Sequence, residues 1–242
     1  SETGINFRLV TGKADGLLKR LEIEGSLSPA DVFITVDAGR LQRAKNSGVL
    51  QKIDNPILKE RIPASLRDRE NYWFGLSQRA RTIIYNKVNL DATKLSTYED
   101  LASPRWKGQL CIRSSDSVYN QSLVASMIEV NGIDKTESWA RGLVQNFARP
   151  PTGGDTDLLK ATSAGQCTIA LANTYYFGRL INSKITSERK AAQNLAVFWP
   201  NQGAGDRGVH VNVSGAGVTK HARNINEAIS LLEFLVTDES QK

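Results

Sequence analysis

The stretch Ser28–Asp37 has the sequence SPADVFITVD, and its middle part, Val32–Val36, is a continuous apolar run. Apolar runs of this length are typical of strands that are buried on both faces, as in parallel sheets. Asp37 follows as a candidate N-cap for a helix over Ala38–Asn46, which Gly48 can end. A buried strand followed at once by a helix predicts an α/β sheet with helices on its faces.

The same alternation of strand and helix patterns continues along the rest of the chain. Further strands are predicted over Ile5–Val10, Gln78–Tyr85, Gln109–Arg113, Cys167–Ala172 and Val209–Thr219, the last interrupted by Gly215 and Gly217. Further helices are predicted over Ala14–Ile23, Val118–Val130, Trp139–Phe147, Asp157–Ala164, Tyr175–Ile181 and Ala228–Val236. Asn224–Glu227 resembles a capping box before the last of these helices.

Composition and charge narrow the class of protein. A chain of 242 residues with 40% apolar and 23% charged residues can bury a large core in one or two domains. No apolar stretch approaches the ~20 residues that a membrane span needs, so we expect a protein that is not embedded in a membrane. The net charge is +6, but the basic residues are scattered rather than gathered in a stripe with stacking aromatics. This distribution predicts a solvated basic surface and no nucleic-acid partner.

The two cysteines, Cys111 and Cys167, each stand at the start of an apolar, strand-like run. The chain has no Cys-x-x-Cys pair and only two histidines, His210 and His221, so a zinc site is not expected. Neighbouring strands would bring the two cysteines together. The residues alone leave a disulfide and two buried thiols open.

Three tyrosines form the candidate binding site. Tyr175 and Tyr176 directly follow a predicted strand, and Tyr119 stands near the start of a predicted helix. A phenol has a pKa near 10, so it binds as phenolate only when a strong cation displaces its proton. Three such hard oxygen ligands suit trivalent iron, for which tyrosine is an established ligand. The alternative is that these rings only pack against apolar neighbours.

The adjacent pair sets a geometric condition on this hypothesis. Neighbouring residues in a regular helix point about 100° apart, because the helix has 3.6 residues per turn. Tyr175 and Tyr176 therefore converge on one ion only where a loop becomes a helix. Asn173–Thr174 precedes them as a candidate cap, which predicts that position.

Several motifs together resemble the bacterial periplasmic ferric-iron-binding proteins, the solute-binding subunits of iron ABC importers. The resemblance covers essentially the whole chain in order, and the tyrosine pair with the upstream tyrosine is its most specific part. The motifs are Ser28–Asp37, Trp73–Leu76, Arg79–Arg81, Arg113–Ser115, Tyr119–Asn120, Gly153–Asp155, Asn173–Tyr176 and His210–Gly215.

The resemblance implies a two-lobed periplasmic-binding-protein fold of type II, shaped like a Venus flytrap, with two hinge-crossing strands. One lobe would contain residues 1–78 and 208–242, and the other residues 79–207. The chain would cross near Gln78–Arg81 and again near Arg207–Val213. It also implies an oxidising periplasm, and with it a disulfide between Cys111 and Cys167.

The function implied by the resemblance is iron uptake. A monomeric binding protein would hold Fe(III) through Tyr119, Tyr175 and Tyr176 and deliver it to an inner-membrane ABC permease. Relatives bind iron together with carbonate or another small anion. Here the anion would sit at the start of the helix that carries Tyr119, next to Ser114 and Ser115, because free N–H groups and the helix dipole favour negative charge there.

Two arginines are the expected side-chain partners of that anion. Arg79 is the first choice and Arg81 the second, because a guanidinium forks onto a planar oxyanion with two parallel hydrogen bonds. The alternative is that both arginines form surface salt bridges. Arg113 adjoins the site in sequence but can face the other way, and His210 is more typical of a hydrogen-bonded structural residue than of a ligand.

The chain also departs from the family pattern at both ends. It begins after the segment that resembles Tyr-Ser-x-Arg-His-Tyr in relatives and often supplies a His or Tyr ligand. It stops before their final helices. We therefore expect the first lobe to lack its first strand and the second lobe to lack its last helices.

Two other classes of function remain as alternatives. A binding protein of the same fold would hold an organic cation or a polyamine if the tyrosines formed an aromatic box. An iron enzyme is less favoured, because non-haem oxygenases use two histidines and a carboxylate, and no such cluster is visible. We therefore expect a binding protein and not an enzyme.

Overall fold

A computed structural model describes residues 4–241 of the chain, which fall into two compact units. The first unit contains Ser1–Gln78 and Val213–Lys242, and the second contains Arg79–Asn212. The helices are α1 (Ala14–Glu24), α2 (Ala38–Asn46), α3 (Pro56–Arg61), α4 (Val118–Asn131), α5 (Ile133–Gln145), α6 (Asp155–Ser163), α7 (Thr174–Ile181), α8 (Thr186–Gln193) and α9 (Ile225–Leu235). The strands are β1 (Val32–Val36), β2 (Phe74–Asn86), β3 (Leu110–Cys111), β4 (Ile169–Asn173), β5 (Leu195–Phe198) and β6 (His210–Val218).

In the first unit, β6 lies between β1 and the beginning of β2. β1 and β6 run antiparallel, with Val32 opposite Val218. A Cβ at Gly215 would stand 2.4 Å from the Phe74 carbonyl oxygen. The glycines of β6 therefore allow two backbones to approach closely, and they do not interrupt the strand as their sequence position suggests.

The helices of the first unit pack through two apolar clusters. One cluster joins Leu58 of α3 and Leu232 of α9 to Phe74. The other joins Leu18 of α1 and Leu41 of α2 to other buried apolar residues. Asp37 accepts a hydrogen bond from the backbone N–H of Gly39 at 2.9 Å, as predicted for the N-cap of α2.

The second unit is built on the rest of β2. This part of β2 pairs antiparallel with β4, from Arg81 opposite Asn173 to Tyr85 opposite Ile169, and also with β5. β3 pairs with β4 in parallel. A large aromatic and aliphatic cluster, which includes Tyr98 and Trp139, fills the core on α4 and α5. The β4–α7 connection places the tyrosine pair directly after a fully buried strand.

A disulfide joins Cys111 at the end of β3 to Cys167 just before β4. Both residues are buried, at 1% and 3% exposed. The expected disulfide is thus confirmed, and the alternative of two buried thiols is wrong.

Several sequence predictions need correction. Ile5–Val10 forms no strand in the described part of the chain, and its Phe7 and Leu9 are 69% and 70% exposed. The predicted strand Gln109–Arg113 shortens to the two residues of β3. Asn224 makes no side-chain cap bond; its amide nitrogen donates to Asp31 at 2.9 Å instead.

Three elements were absent from the sequence predictions. α3 carries clear signals, since Asn55 caps it by accepting from the Leu58 N–H and Pro56 stands at its first position. α8 is polar throughout except for its alanines and buries only Ala192, so hydrophobic periodicity had nothing to detect. β5 is a four-residue strand, too short for its alternation to be recognised.

Candidate metal centre in the second unit

The tyrosine pair occupies the first turn of α7. Asn173 is the N-cap of this helix and ends β4, so Tyr175 and Tyr176 lie where extended backbone becomes helix. Their ring centroids are 4.3 Å apart with an interplanar angle of 33°. The geometric condition for convergence of adjacent tyrosines is therefore met at this position.

Tyr119 joins the pair from a different helix. It lies in the first turn of α4, and the Tyr175 hydroxyl donates a hydrogen bond to the Tyr119 hydroxyl at 3.2 Å. Tyr175 is 38% exposed, so the meeting point of these phenols remains open to solvent and to a ligand. The three predicted ligands thus come together within one unit.

The environment of the phenols favours their neutral form when no metal is bound. Burial, followed by hydrogen bonds to Tyr119 and Tyr176, raises the pKa of Tyr175 above its usual value. Burial also raises the pKa of Tyr176, although the hydrogen bond from Tyr175 opposes this shift. A phenol that is neutral in the absence of metal becomes a phenolate ligand only when the incoming ion displaces its proton.

Three guanidinium groups surround the ring of Tyr119. The guanidinium carbons of Arg79, Arg81 and Arg113 lie 5.8, 6.0 and 5.4 Å from its centroid. Arg113 therefore faces the site, whereas its sequence position left this open. Such a concentration of positive charge stabilises negative charge on phenolates or on a small anion.

Arg81 and Asp155 form a buried ion pair next to the cluster. Their side chains are 1% and 0% exposed, and Arg81 Nη1 lies 3.4 Å from Asp155 Oδ2. Asp155 Oδ2 also accepts from the backbone N–H of Asn173 at 3.3 Å. Burial lowers the pKa of Arg81, and the Asp155 carboxylate opposes that shift. The pair ties the start of α6 to the end of β4.

At the predicted anion site at the start of α4, protein groups already occupy hydrogen-bonding positions that an anion would use. The Ser114 hydroxyl donates to the Asp116 carboxylate, and the Asp116 N–H points back to the Ser114 hydroxyl at 3.4 Å. Ser115 is exposed, and its carbonyl accepts from Gln121 at 3.1 Å. An anion at this helix start would therefore have to compete with the carboxylate of Asp116.

His210 lies near the arginines but is kept neutral. Burial, then the positive charges of Arg81, Arg207 and Arg79, lowers its pKa to about 4. Its backbone N–H donates to the Tyr98 hydroxyl at 3.1 Å. Among residues 4–241, no three His, Cys, Asp or Glu side chains group together in a way that could hold a metal ion.

Some residues of the site were missed by sequence reasoning. Asn120 and Asp155 were named only within motifs, and Asn173 only as a candidate helix cap, but all three accept hydrogen bonds from Arg81. The position of Asn120 directly after Tyr119 was the signal from which its place in the site could have been predicted. Which side chain each amide contacts depends on the pairing of β2 with β4, which the sequence does not specify.

The fold is an α/β type II periplasmic-binding-protein fold, and the site is an oxygen-rich cluster within it. The chain matches the family described as bacterial extracellular solute-binding protein over residues 28–242, and it belongs to that family. This membership confirms the family resemblance and the expectation of a binding protein rather than an enzyme. No helix in the described part of the chain is long and apolar enough to cross a membrane.

Individual relatives are more specific. The chain is 49% identical over 241 residues to iron uptake protein A1 of Synechocystis sp., covering 100% of this chain and 66% of that protein. The solved structure of Trichodesmium IdiA (FutA) in complex with iron and citrate is 52% identical, with a TM-score of 0.96 over 99% of this chain and 75% of that one. A ferric binding protein from Campylobacter jejuni is 42% identical, with a TM-score of 0.94 over 100% and 76%. The chain thus spans about two thirds to three quarters of the length of these relatives.

Proposed function

We propose that this protein binds ferric iron in the periplasm through the phenolates of Tyr119, Tyr175 and Tyr176 and delivers it, as a monomer, to an inner-membrane ABC permease. The observation that carries the proposal is the meeting of three phenols from two helices, with Tyr175 and Tyr119 hydrogen-bonded at 3.2 Å. The names of the Synechocystis and Campylobacter relatives, which refer to iron, support the same ligand.

Charge balance supports trivalent iron as the cargo. Three phenolates neutralise Fe(III), whereas a divalent or monovalent ion would leave net negative charge in the cluster. The raised pKa values of Tyr175 and Tyr176 mean that protons must be displaced on binding, which a trivalent cation does most readily. The organic-cation alternative is disfavoured, because three guanidinium groups already surround the Tyr119 ring.

A small anion is the second part of the proposal. Carbonate or another small anion would fill the remaining coordination positions of iron. Arg79 would hold it together with the helix start at Ser114 and Ser115, and Arg81 would add positive charge beside it. The Trichodesmium structure contains citrate with its iron, so citrate is one of the other anions to test. The competing Asp116 carboxylate favours Arg79 over the serines as the main partner.

Release of iron would use the two-lobed architecture of this class. The lobes would be residues 1–78 with 208–242, and residues 79–207. The chain would pass between them near Gln78–Arg81 and Arg207–Val213. Opening and closing about such crossing strands is a general route to capture and release of a ligand.

The test is a visible-light titration of the metal-stripped protein with ferric citrate, with and without bicarbonate. We expect a saturable charge-transfer band from phenolate to iron. Tyr176→Phe removes one oxygen and keeps the ring, so it should weaken the band and iron binding with little loss of stability. Bicarbonate dependence of the band would support carbonate as the anion.

Tyr72→Phe is the matched control, because Tyr72 is a partly buried tyrosine of the first unit with Lys45 over its ring at 5.0 Å. This variant should keep the full band. A folded wild-type protein without any band, or a Tyr176→Phe variant with an unchanged band and affinity, would contradict the proposal.

A further inference from the structure

We propose that Arg81 is a positioning residue of the tyrosine cluster: its guanidinium fixes the start of α4, which carries Tyr119, to the end of β4, which leads into Tyr175 and Tyr176. This assigns Arg81 a role different from that of an anion ligand. The iron-dependent part of its test rests on the proposed function.

The hydrogen bonds of Arg81 reach α4, which carries Tyr119, and β4, which leads into the tyrosine pair. Nη2 donates to Asn120 Oδ1 at 2.6 Å and to the Leu171 carbonyl at 3.1 Å. Nη1 donates to Asn173 Oδ1 at 3.2 Å and to Asp155 Oδ2 at 3.4 Å. One planar group therefore contacts α4, β4 and the start of α6 at once.

Both asparagines stand next to the phenols in the chain. Asn120 follows Tyr119, and its Nδ2 donates to the carbonyls of Arg113 and Ser114 at 2.8 and 3.1 Å, which fixes the entry into α4. Asn173 is the N-cap of α7, two residues before Tyr175. Holding these two amides at fixed positions on one guanidinium sets the distance between the two tyrosine-bearing helix starts.

The terminal donors of Arg81 are committed to the protein itself. The two terminal nitrogens carry four N–H bonds, and the four acceptors above match that number. The fifth donor, Nε–H, is buried and has no hydrogen-bond partner among the described residues. The side chain is 1% exposed, so an incoming anion would have to displace buried partners to reach the terminal nitrogens. Arg79 lies two residues earlier on the same face of β2 and is the first-choice arginine for an anion in the proposed function.

Lysine cannot replace this arrangement, because its ammonium is a single point of charge without the planar fork. In Arg81→Lys, charge is retained but the amides of Asn120 and Asn173 are no longer held together. We expect Tyr119 to separate from the tyrosine pair. Iron should then be bound by fewer phenolates.

The first test compares the charge-transfer band per bound iron in Arg81→Lys, Asn120→Ala and the control Arg141→Lys. Arg81→Lys and Asn120→Ala should show a lower band intensity per iron, while the bicarbonate dependence stays as in the wild type. Arg141 is an exposed arginine of α5 that pairs with Glu137, so Arg141→Lys should keep the wild-type intensity per iron. A full band with lost bicarbonate dependence in Arg81→Lys would make Arg81 an anion ligand and overturn the proposal.

The second test needs no iron. Crystal structures of metal-free Arg81→Lys and Asn120→Ala should show that the Tyr175–Tyr119 hydroxyl contact is lost. Persistence of that contact in both variants would overturn the positioning role. If Arg81→Lys does not fold, Asn120→Ala decides, since it replaces a partly exposed side chain and removes the α4 contact of the guanidinium together with two hydrogen bonds to the Arg113 and Ser114 carbonyls. A wild-type protein without an iron band would contradict the proposed function but not the role of Arg81, which the two metal-free structures test separately.

Discussion

The two units of this chain keep their charged side chains in different ways. In the first unit, Lys45 pairs with Asp68 at 3.0 Å, and the lysine side chain is 16% exposed and also contacts Glu70. In the second unit, Arg81 pairs with Asp155, and both are almost fully enclosed. The first pair can exchange with water and a second carboxylate, whereas the second pair depends on fixed partners.

This difference indicates that the enclosed Arg81–Asp155 pair lowers the free energy of unfolding of the second unit relative to apolar residues at the same positions. Desolvating two charges is expensive, and well-packed apolar residues of similar volume are often at least as stable. The second unit nonetheless encloses Arg81 and Asp155 beside its tyrosines and adds a disulfide. The enclosed charges hold polar groups at defined positions, and the disulfide and aromatic core supply the stability that such a site requires. The predictions below test this division, starting with the largest effect.

Removal of the disulfide should destabilise the second unit and leave the first unchanged. The bridge closes a segment with a sequence separation of 56, for which loop-closure entropy gives about 4 kcal/mol. Residue-resolved hydrogen exchange of Cys111→Ala/Cys167→Ala should show faster exchange in residues 79–212 only. The wild type under reducing conditions is the control and should behave alike. Equal loss of protection in both units would contradict the division.

Matched substitutions in the two ion pairs give the next effect. Asp155→Asn leaves the buried Arg81 charge without its carboxylate, and should cost about 3 kcal/mol because the amide keeps one acceptor oxygen. Asp68→Asn should cost less, since Lys45 retains Glu70 and access to water. Urea unfolding of both variants measures the comparison. Similar losses would show that the two pairs are equivalent and that enclosure of the second has no special consequence.

Sequence reasoning predicted those elements and residues of the two units that depend on local sequence patterns. The strand–helix alternation specified β1, α2, α4 and α7 almost to the residue, because apolar spacing and caps are local signals. The position of Tyr175 and Tyr176 after a strand was also predicted, since the apolar run before them indicates a strand that ends there. Arg81 was predicted as the second-choice anion partner, and its hydrogen-bond partners Asn120 and Asp155 come from segments 39 and 74 residues away.

Long-range pairing explains what sequence reasoning could not supply. Which carbonyls and amides meet a guanidinium depends on the register of β2 against β4, and no local pattern encodes that register. The same holds for Ile5–Val10, whose apolar residues suggest a strand although no partner strand lies beside them. Polar α8 shows the converse, because a helix without an apolar face leaves no periodicity to read.

The smallest effect concerns pH and the charge of His210. Its pKa is about 4 in the folded protein and about 6.5 in the unfolded chain. Between these two pH values the unfolded chain binds a proton at this imidazole and the folded protein does not. The neutral imidazole therefore contributes stability that is fully present above pH 6.5 and is lost as the pH falls toward 4. Between pH 7 and pH 5 the loss should be about 2 kcal/mol. The positive charges of Arg79, Arg81 and Arg207, together with burial, are its cause.

His210→Gln removes this titration and leaves the carboxylates unchanged, so the difference between variant and wild type isolates the histidine. Unfolding by urea at pH 7 and pH 5 should show a smaller acid-induced loss in His210→Gln than in the wild type. The matched control in the first unit, His221→Gln, leaves the arginine-rich surroundings of His210 unchanged, so the loss that is due to His210 should remain in this variant. Parallel pH curves for the wild type and His210→Gln would mean that the arginines beside the tyrosine cluster do not raise the energy of a cation there. In that case a buried positive charge would cost no more in the second unit than in the first.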